Sequence, residues 1–206
     1  MSVPAPMSVT ASEGAAPRTI PPGVLGMLLF IASETMFFAG LFAAYAALRA
    51  DQPRWPPAGT PATSLVLPAV LTVVLMASSV TQHLAAHTSD GGVRRRWLSR
   101  TIALGALFLA GQAWEWSQLR ADGLTVATNV YGTVFFLLTG AHGLHVVGGL
   151  VMLGGTRARL AGAGSPGAGI PGAGPPGDGA RMAAVTYYWH FVDAVWLVVF
   201  ATLYVL

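Results

Sequence analysis

Apolar residues run along this chain in five blocks, separated by short breaks rich in proline, glycine and arginine. A helix needs about 20 apolar residues to cross roughly 30 Å of hydrocarbon. The stretches at about 23–48, 65–87, 97–119, 127–154 and 182–206 meet that length. None shows the strict alternation of a membrane barrel strand. The pattern therefore predicts an all-α, polytopic membrane protein built as a bundle of five transmembrane helices. Residues 1–21 form an N-terminal tail ahead of a membrane domain at 22–206. That tail has no apolar core before a cleavage site, so the first span is expected to serve as its own anchor.

Most breaks are short, such as Arg54-Trp55-Pro56-Pro57 and Asp90-Gly91-Gly92. The exception is 160–180, LAGAGSPGAGIPGAGPPGDGA, whose glycine and proline content reads as a flexible linker. Small residues recur at contact spacing within the spans, as in Gly40 with Ala44, Ala106 with Ala110, and Gly140 with Gly143. Such positions let helix backbones approach closely in lipid.

Composition agrees with this reading. Mean hydropathy is +0.61 and only 9% of residues are charged, which excludes an ordinary soluble domain. All 11 basic side chains are arginine, set against eight acids. They lie mainly in the breaks, so the pI near 9.8 reflects topology rather than nucleic-acid binding. With no cysteine, disulfides, iron–sulfur clusters and thiolate-ligated haem are excluded. Arg18, Arg94, Arg95, Arg96, Arg100, Arg157, Arg159 and Arg181 fall on one side of the bundle, and Arg49, Arg54 and Arg120 on the other. Arginine marks the cytoplasmic side, so the N-terminus is expected inside and the C-terminus outside.

Ionisable residues nevertheless occur within the apolar blocks. Such groups cost several kcal/mol in hydrocarbon and are normally turned inward with a partner or a task. At a rise of about 1.5 Å per residue, Glu34 lies roughly 18 Å from the cytoplasmic end. His142 and His145 lie ~16 and ~12 Å deep, and His190 and Asp193 ~12 and ~16 Å. These five groups are expected to share one layer in the cytoplasmic half. His142 and His145 are three residues apart and share a helix face, as do His190 and Asp193. Glu115 stands apart at ~27 Å, in an outer-side polar stripe with Gln112 and Gln118.

These groups admit three readings: hydrogen bonds that lock helices together, proton handling or lipid-headgroup binding, and a metal or haem site. Histidines three residues apart can ligate a metal, and spacing alone does not exclude it. His83 and His87, at the cytoplasmic end of the second span, are readily solvated there.

The same residues carry a family resemblance. The first span reads Ser33-Glu34-x-x-Phe37-Phe38-x-Gly40-x-Phe42-x-x-Tyr45, and the third contains Gln112-Ala113-Trp114-Glu115-Trp116. The fourth contains Tyr131-Gly132-x-x-Phe135-Phe136, then Gly140-Ala141-His142-Gly143-Leu144-His145-Val146. The fifth reads Tyr188-Trp189-His190-Phe191-Val192-Asp193-x-Val195-Trp196. Together these resemble subunit III of the haem–copper respiratory oxidases in its five-helix bacterial form. The match runs from about residue 23 to the C-terminus, outside the linker, and fits the second span loosely. The longer form of the family has two further N-terminal helices without counterparts here. They build one wall of its lipid cleft.

The resemblance implies a non-catalytic subunit of a terminal oxidase of the bacterial inner membrane, in a complex that reduces oxygen and pumps protons. Its partners would be subunits I and II, which hold the haem and copper, with membrane lipids around it. The chain would bind no cofactor or metal of its own and no nucleic acid, with phospholipid as a candidate ligand. It would have no catalytic residue. Glu34, His142, His145, His190 and Asp193 would form an intramembrane polar network with a candidate proton-handling role. Gln112, Glu115 and Gln118 would lie at the outer end. Two alternatives stand beside this: the equivalent subunit of a quinol oxidase or nitric oxide reductase, and a free-standing haem-binding or ion-translocating bundle.

Overall fold

The computed structural model describes residues 20–61, 63–162 and 177–206. The expectations for the tail through Thr19, Arg18 included, and for linker residues 163–176 lie outside the described residues. Five long helices follow one another: α1 (Pro22–Ala50), α2 (Val66–His87), α3 (Gly91–Ala121), α4 (Val130–Gly162) and α5 (Asp178–Phe200). A π-turn at Ala201–Val205 continues α5. Among the described residues there are no strands.

Local chemistry sets the helix ends. Pro22 sits at the first helical position of α1, where its missing N–H costs nothing. Asp90 opens α3 by accepting a 2.9 Å hydrogen bond from the Val93 amide. Asn129 does the same for α4, accepting from the Gly132 amide at 2.9 Å. That cap moves the start of α4 to Val130 rather than 127. At the other ends, α3 and α4 outrun the apolar blocks, because a helix carries its hydrogen bonds past the hydrocarbon boundary.

Four helices, α1, α2, α4 and α5, are long and apolar enough to cross a membrane. α3 is equally long but more polar, with Arg94, Arg95, Arg96 and Arg100 near its start and Gln112, Glu115 and Arg120 near its end. Its packing still makes it part of the bundle. It runs antiparallel to α2, with Thr81 bonded to Thr101 at 2.8 Å near one end and Leu71 against Gly111 near the other. Along α4 the contacts run from Ser99 with Arg157 to Trp116 with Thr139.

α5 is the central element, packing on α1, α2 and α4. Its Trp189 is fully buried, and its indole wedges between two glycines of other helices. A Cβ at Gly105 of α3 would meet the indole at 2.8 Å, and one at Gly149 of α4 at 2.7 Å. Three buried or half-buried indoles also share one polar solution. Trp189, Trp196 and Trp116 donate to the hydroxyls of Ser78, Thr72 and Thr139 on neighbouring helices. Each hydroxyl returns its own proton to a carbonyl of its own helix. None of these three indole N–H groups or their hydroxyl partners is left without an acceptor where water is scarce. Of the small-residue pairs expected at contacts, Gly140 touches Trp116, whereas Gly40, Ala44, Ala106 and Ala110 face outward.

The Asp90 cap gives a pH-dependent prediction. Amides of Val93 and Gly92, with a smaller contribution from Arg96, hold its carboxyl below the ordinary range. A folded value below the unfolded one means the cap contributes fully above the ordinary carboxylate pKa and is lost as pH falls through the lowered value. Asp90→Ala is expected to lower the hydrogen-exchange protection factors of the capped first-turn amides of α3 at neutral pH, and acid should lower those of the native chain in the same way once intrinsic exchange rates are divided out. Unchanged protection in the variant would count against the cap.

Candidate functional site: paired histidines and carboxyls inside the bundle

The structure distributes the five ionisable groups of the expected layer into two clusters and one isolated residue. Glu34 of α1 and His145 of α4 meet, with Oε2 to Nε2 at 2.8 Å and side chains 19% and 16% exposed. His145 Nδ1 lies 2.7 Å from the Ala141 carbonyl. A carbonyl only accepts, so Nδ1 carries hydrogen. The short contact on the other side therefore holds a single proton, on either the carboxyl or the imidazole. Phe37 and Phe38 pack around this ring, and Tyr188 of α5 donates to the His145 carbonyl at 3.0 Å.

The second cluster joins α5 to α2. His190 Nδ1 lies 2.7 Å from the Ser79 hydroxyl and 3.8 Å from Asp193 Oδ2. The imidazole is 38% exposed, whereas the Asp193 side chain is only 6% exposed. Neither carboxyl oxygen of Asp193 has a hydrogen-bond partner among the described residues.

His142 belongs to neither cluster. It is completely buried, with its ring against Phe108 and Trp196, and neither nitrogen has a partner among the described residues. It shares a face with His145 by spacing, but the ring turns toward α3 and α5 while His145 turns toward α1. Spacing along one helix thus does not fix rotation, because a helix face spans several neighbours.

At the opposite end, Glu115 is buried and receives two hydrogen bonds on Oε2, from Gln112 at 2.8 Å and from the Tyr204 hydroxyl at 2.7 Å. Gln118, expected in the same stripe, is exposed. Two steps of three residues rotate about 120° from the starting direction on a 3.6-residue helix, which carries Gln118 off this face. Glu115→Leu is expected to leave the Tyr204 hydroxyl and the Gln112 amide without their acceptor, costing about 1–3 kcal/mol, while Glu115→Gln costs less. Thermal unfolding in one detergent distinguishes them. Equal melting of all three chains would count against the cluster.

Sequence reasoning gave Tyr204, Ser79 and Tyr188 no place in these clusters because depth was worked out only for histidines and carboxyls, with the two neighbouring glutamines. Applying the same arithmetic to hydroxyls would have set Tyr204 near Glu115 and Ser79 near His190. His83 and His87 stack at 4.0 Å between ring centroids on the exposed side of α2. Among the described residues, no three His, Cys, Asp or Glu side chains converge as a metal site.

Comparison with known proteins agrees with the helical fold. The family model described as cytochrome c oxidase subunit III matches residues 9–167. A cytochrome c oxidase subunit 3 of Synechocystis is 36% identical, over 98% of this chain and 88% of that protein. One from Thermostichus vulcanus is 39% identical, over 89% of this chain and 87% of its own. A probable cytochrome c oxidase subunit 3 of Nocardia farcinica is 40% identical, over 87% and 86%. Coverage of 98% carries the first of these alignments into α5, beyond the family match and onto His190 and Asp193. Apolar helices, the central α5 and this likeness together show that the chain is a multi-pass membrane protein belonging to the cytochrome c oxidase subunit III family.

Proposed function

We propose that the chain is a non-catalytic subunit of a respiratory terminal oxidase of the cytochrome c oxidase type, resident in a bacterial cell membrane. It packs against subunits I and II, which carry the haem and copper, and binds no redox centre itself. The observation that carries this reading is the extended likeness to proteins bearing the subunit 3 name. Its role is to brace the catalytic subunit and to sustain proton uptake into it. Arginine bias supports an orientation with Arg94, Arg95, Arg96, Arg157 and Arg181 in the cytoplasm, opposite Arg49, Arg54 and Arg120.

Proton handling is supported by the shared-proton pair of Glu34 and His145 and by the Ser79–His190–Asp193 cluster. An imidazole can donate at one nitrogen and accept at the other, so histidines in these positions suit a relay. Glu34 and His145 lie at the α1–α4 seam, where α1 is otherwise loosely held and buries only Val24, Phe38 and Tyr45. The open remainder of α1 is available to a neighbouring subunit. Affinity purification from native membranes through a tag on this chain, followed by mass measurement of the intact complex, tests the assignment. Recovery with haem- and copper-bearing subunits is expected. Recovery alone, or with partners that lack haem and copper, would overturn it.

A further inference from the structure

Two histidines close the end of α2, and neither belongs to the clusters described above. His83 and His87 stand four residues apart on one face of the helix, and both are exposed. Their ring centroids lie 4.0 Å apart, with the planes tilted by 32°. His87 Nδ1 sits 2.8 Å from the His83 carbonyl, and a carbonyl only accepts, so Nδ1 carries hydrogen. The lone pair of the neutral His87 ring therefore lies on Nε2. Among the described residues, the His83 ring makes no hydrogen bond, so both its nitrogens are open. The two rings line a recess of about 400 Å³ between α2 and α5, shared with Arg94, Thr186 and His190.

We propose that His83 and His87 chelate one zinc ion through imidazole nitrogens, with water filling the remaining positions. Spacing is the first reason. Histidines four residues apart on a helix present two nitrogens to one ion, the arrangement by which paired helical histidines grip zinc. The adjacent rings already hold that arrangement, and the His83 ring gives up no bond as it turns onto the ion. Position on the helix is the second. α2 ends at His87, the one basic side chain of its last turn, and the carbonyl end of a helix favours positive charge. This offsets part of the repulsion from Arg94, whose guanidinium is held on the Thr88 carbonyl. Ligand type is the third. Asp90 is committed to capping α3, and Asp193 lies 3.8 Å from His190 on α5. The pair thus offers nitrogen rather than oxygen, which selects zinc over magnesium and calcium. The ion staples the end of α2 just where Thr88 turns the backbone into an extended conformation. Zinc has no redox chemistry, so this site is separate from the haem and copper assigned to the partner subunits. It stands whether or not the Glu34–His145 pair carries protons.

The full chain, in the complex with which it purifies through a histidine-free tag, is dialysed against micromolar zinc chloride. Zinc bound per complex is then counted by plasma mass spectrometry. The native complex is expected to hold one zinc more than the double variant His83→Gln/His87→Gln. Either single variant should weaken that zinc by at least about tenfold. Millimolar magnesium should leave it in place. Amide protection at the end of α2 should rise with zinc in the native complex, a readout that needs no variant. Equal zinc in the native complex and the double variant would overturn the proposal, as would unchanged protection. An extra zinc that survives the double variant but leaves with His190→Gln would also overturn it, by placing the ion on α5. Displacement by magnesium would show an oxygen-ligated site instead and contradict the histidine pair.

Discussion

Trp189→Ala is expected to destabilise the bundle by about 3 kcal/mol, the lower end of the range for emptying a large aromatic site. The lower end applies because lipid is as apolar as the core, so the transfer contribution largely cancels and lost packing remains. The indole fills the slot between Gly105 and Gly149 and donates to Ser78 at 3.0 Å. Truncation empties the meeting point of α3, α4 and α5 and leaves the Ser78 hydroxyl without its donor. The converse substitution, Gly149→Ala, pushes a methyl to 2.7 Å from the ring and should cost about 1–3 kcal/mol by overpacking. Thermal unfolding of the purified chains in one detergent measures both. A Trp189→Ala chain that melts with the native one would show that α5 is not the keystone.

Glu34→Ala is expected to weaken retention of the chain in its complex and to shorten the active lifetime of that complex during turnover. Haem spectra should stay unchanged. The cause is loss of the 2.8 Å contact to His145, which bridges α1 to α4 where few other contacts do. Breaking such a partly buried pair costs about 1–3 kcal/mol, concentrated at one seam. Glu34→Gln separates bracing from proton handling. Its amide can still donate to His145 Nε2 and hold the seam, but it has no proton to exchange. Retention should therefore recover in Glu34→Gln while the lifetime stays short. If both variants assemble and survive turnover as the native complex does, Glu34 is dispensable packing. If Glu34→Gln restores both properties, the pair is structural and the proton role is lost.

Much of this was legible in the sequence because lipid makes a strong demand on it. A spanning segment must satisfy its backbone internally, so apolar length alone announces a helix. A constant rise per residue put Glu34 and His145 in one layer, and the two side chains meet at 2.8 Å. Rotation was harder to read. Gln118 was grouped with Gln112 and Glu115 by a spacing of three, and the true period of 3.6 carries it out to the surface. His142 was grouped with His145, yet it looks toward Phe108 and Trp196. The glycines that matter, Gly105 and Gly149, were not among the pairs singled out by spacing. Their reason lies in a tryptophan on a third helix, which no local pattern reveals. The third span was identified by its apolar centre, although its polar ends leave α3 short of the hydropathy of the other four. Its place in the bundle rests on contacts with α2 and α4 instead.

The proposed division of labour, in which this chain braces and supplies while its partners carry the redox chemistry, can be read from one spectrum. The complex is dissociated in mild detergent, and the fraction containing this chain is assayed for Soret absorbance and copper. Colour and copper are expected to remain wholly with the partner subunits. A Soret band stoichiometric with this polypeptide, and abolished by His142→Ala, would contradict that division and make the buried imidazole a haem ligand.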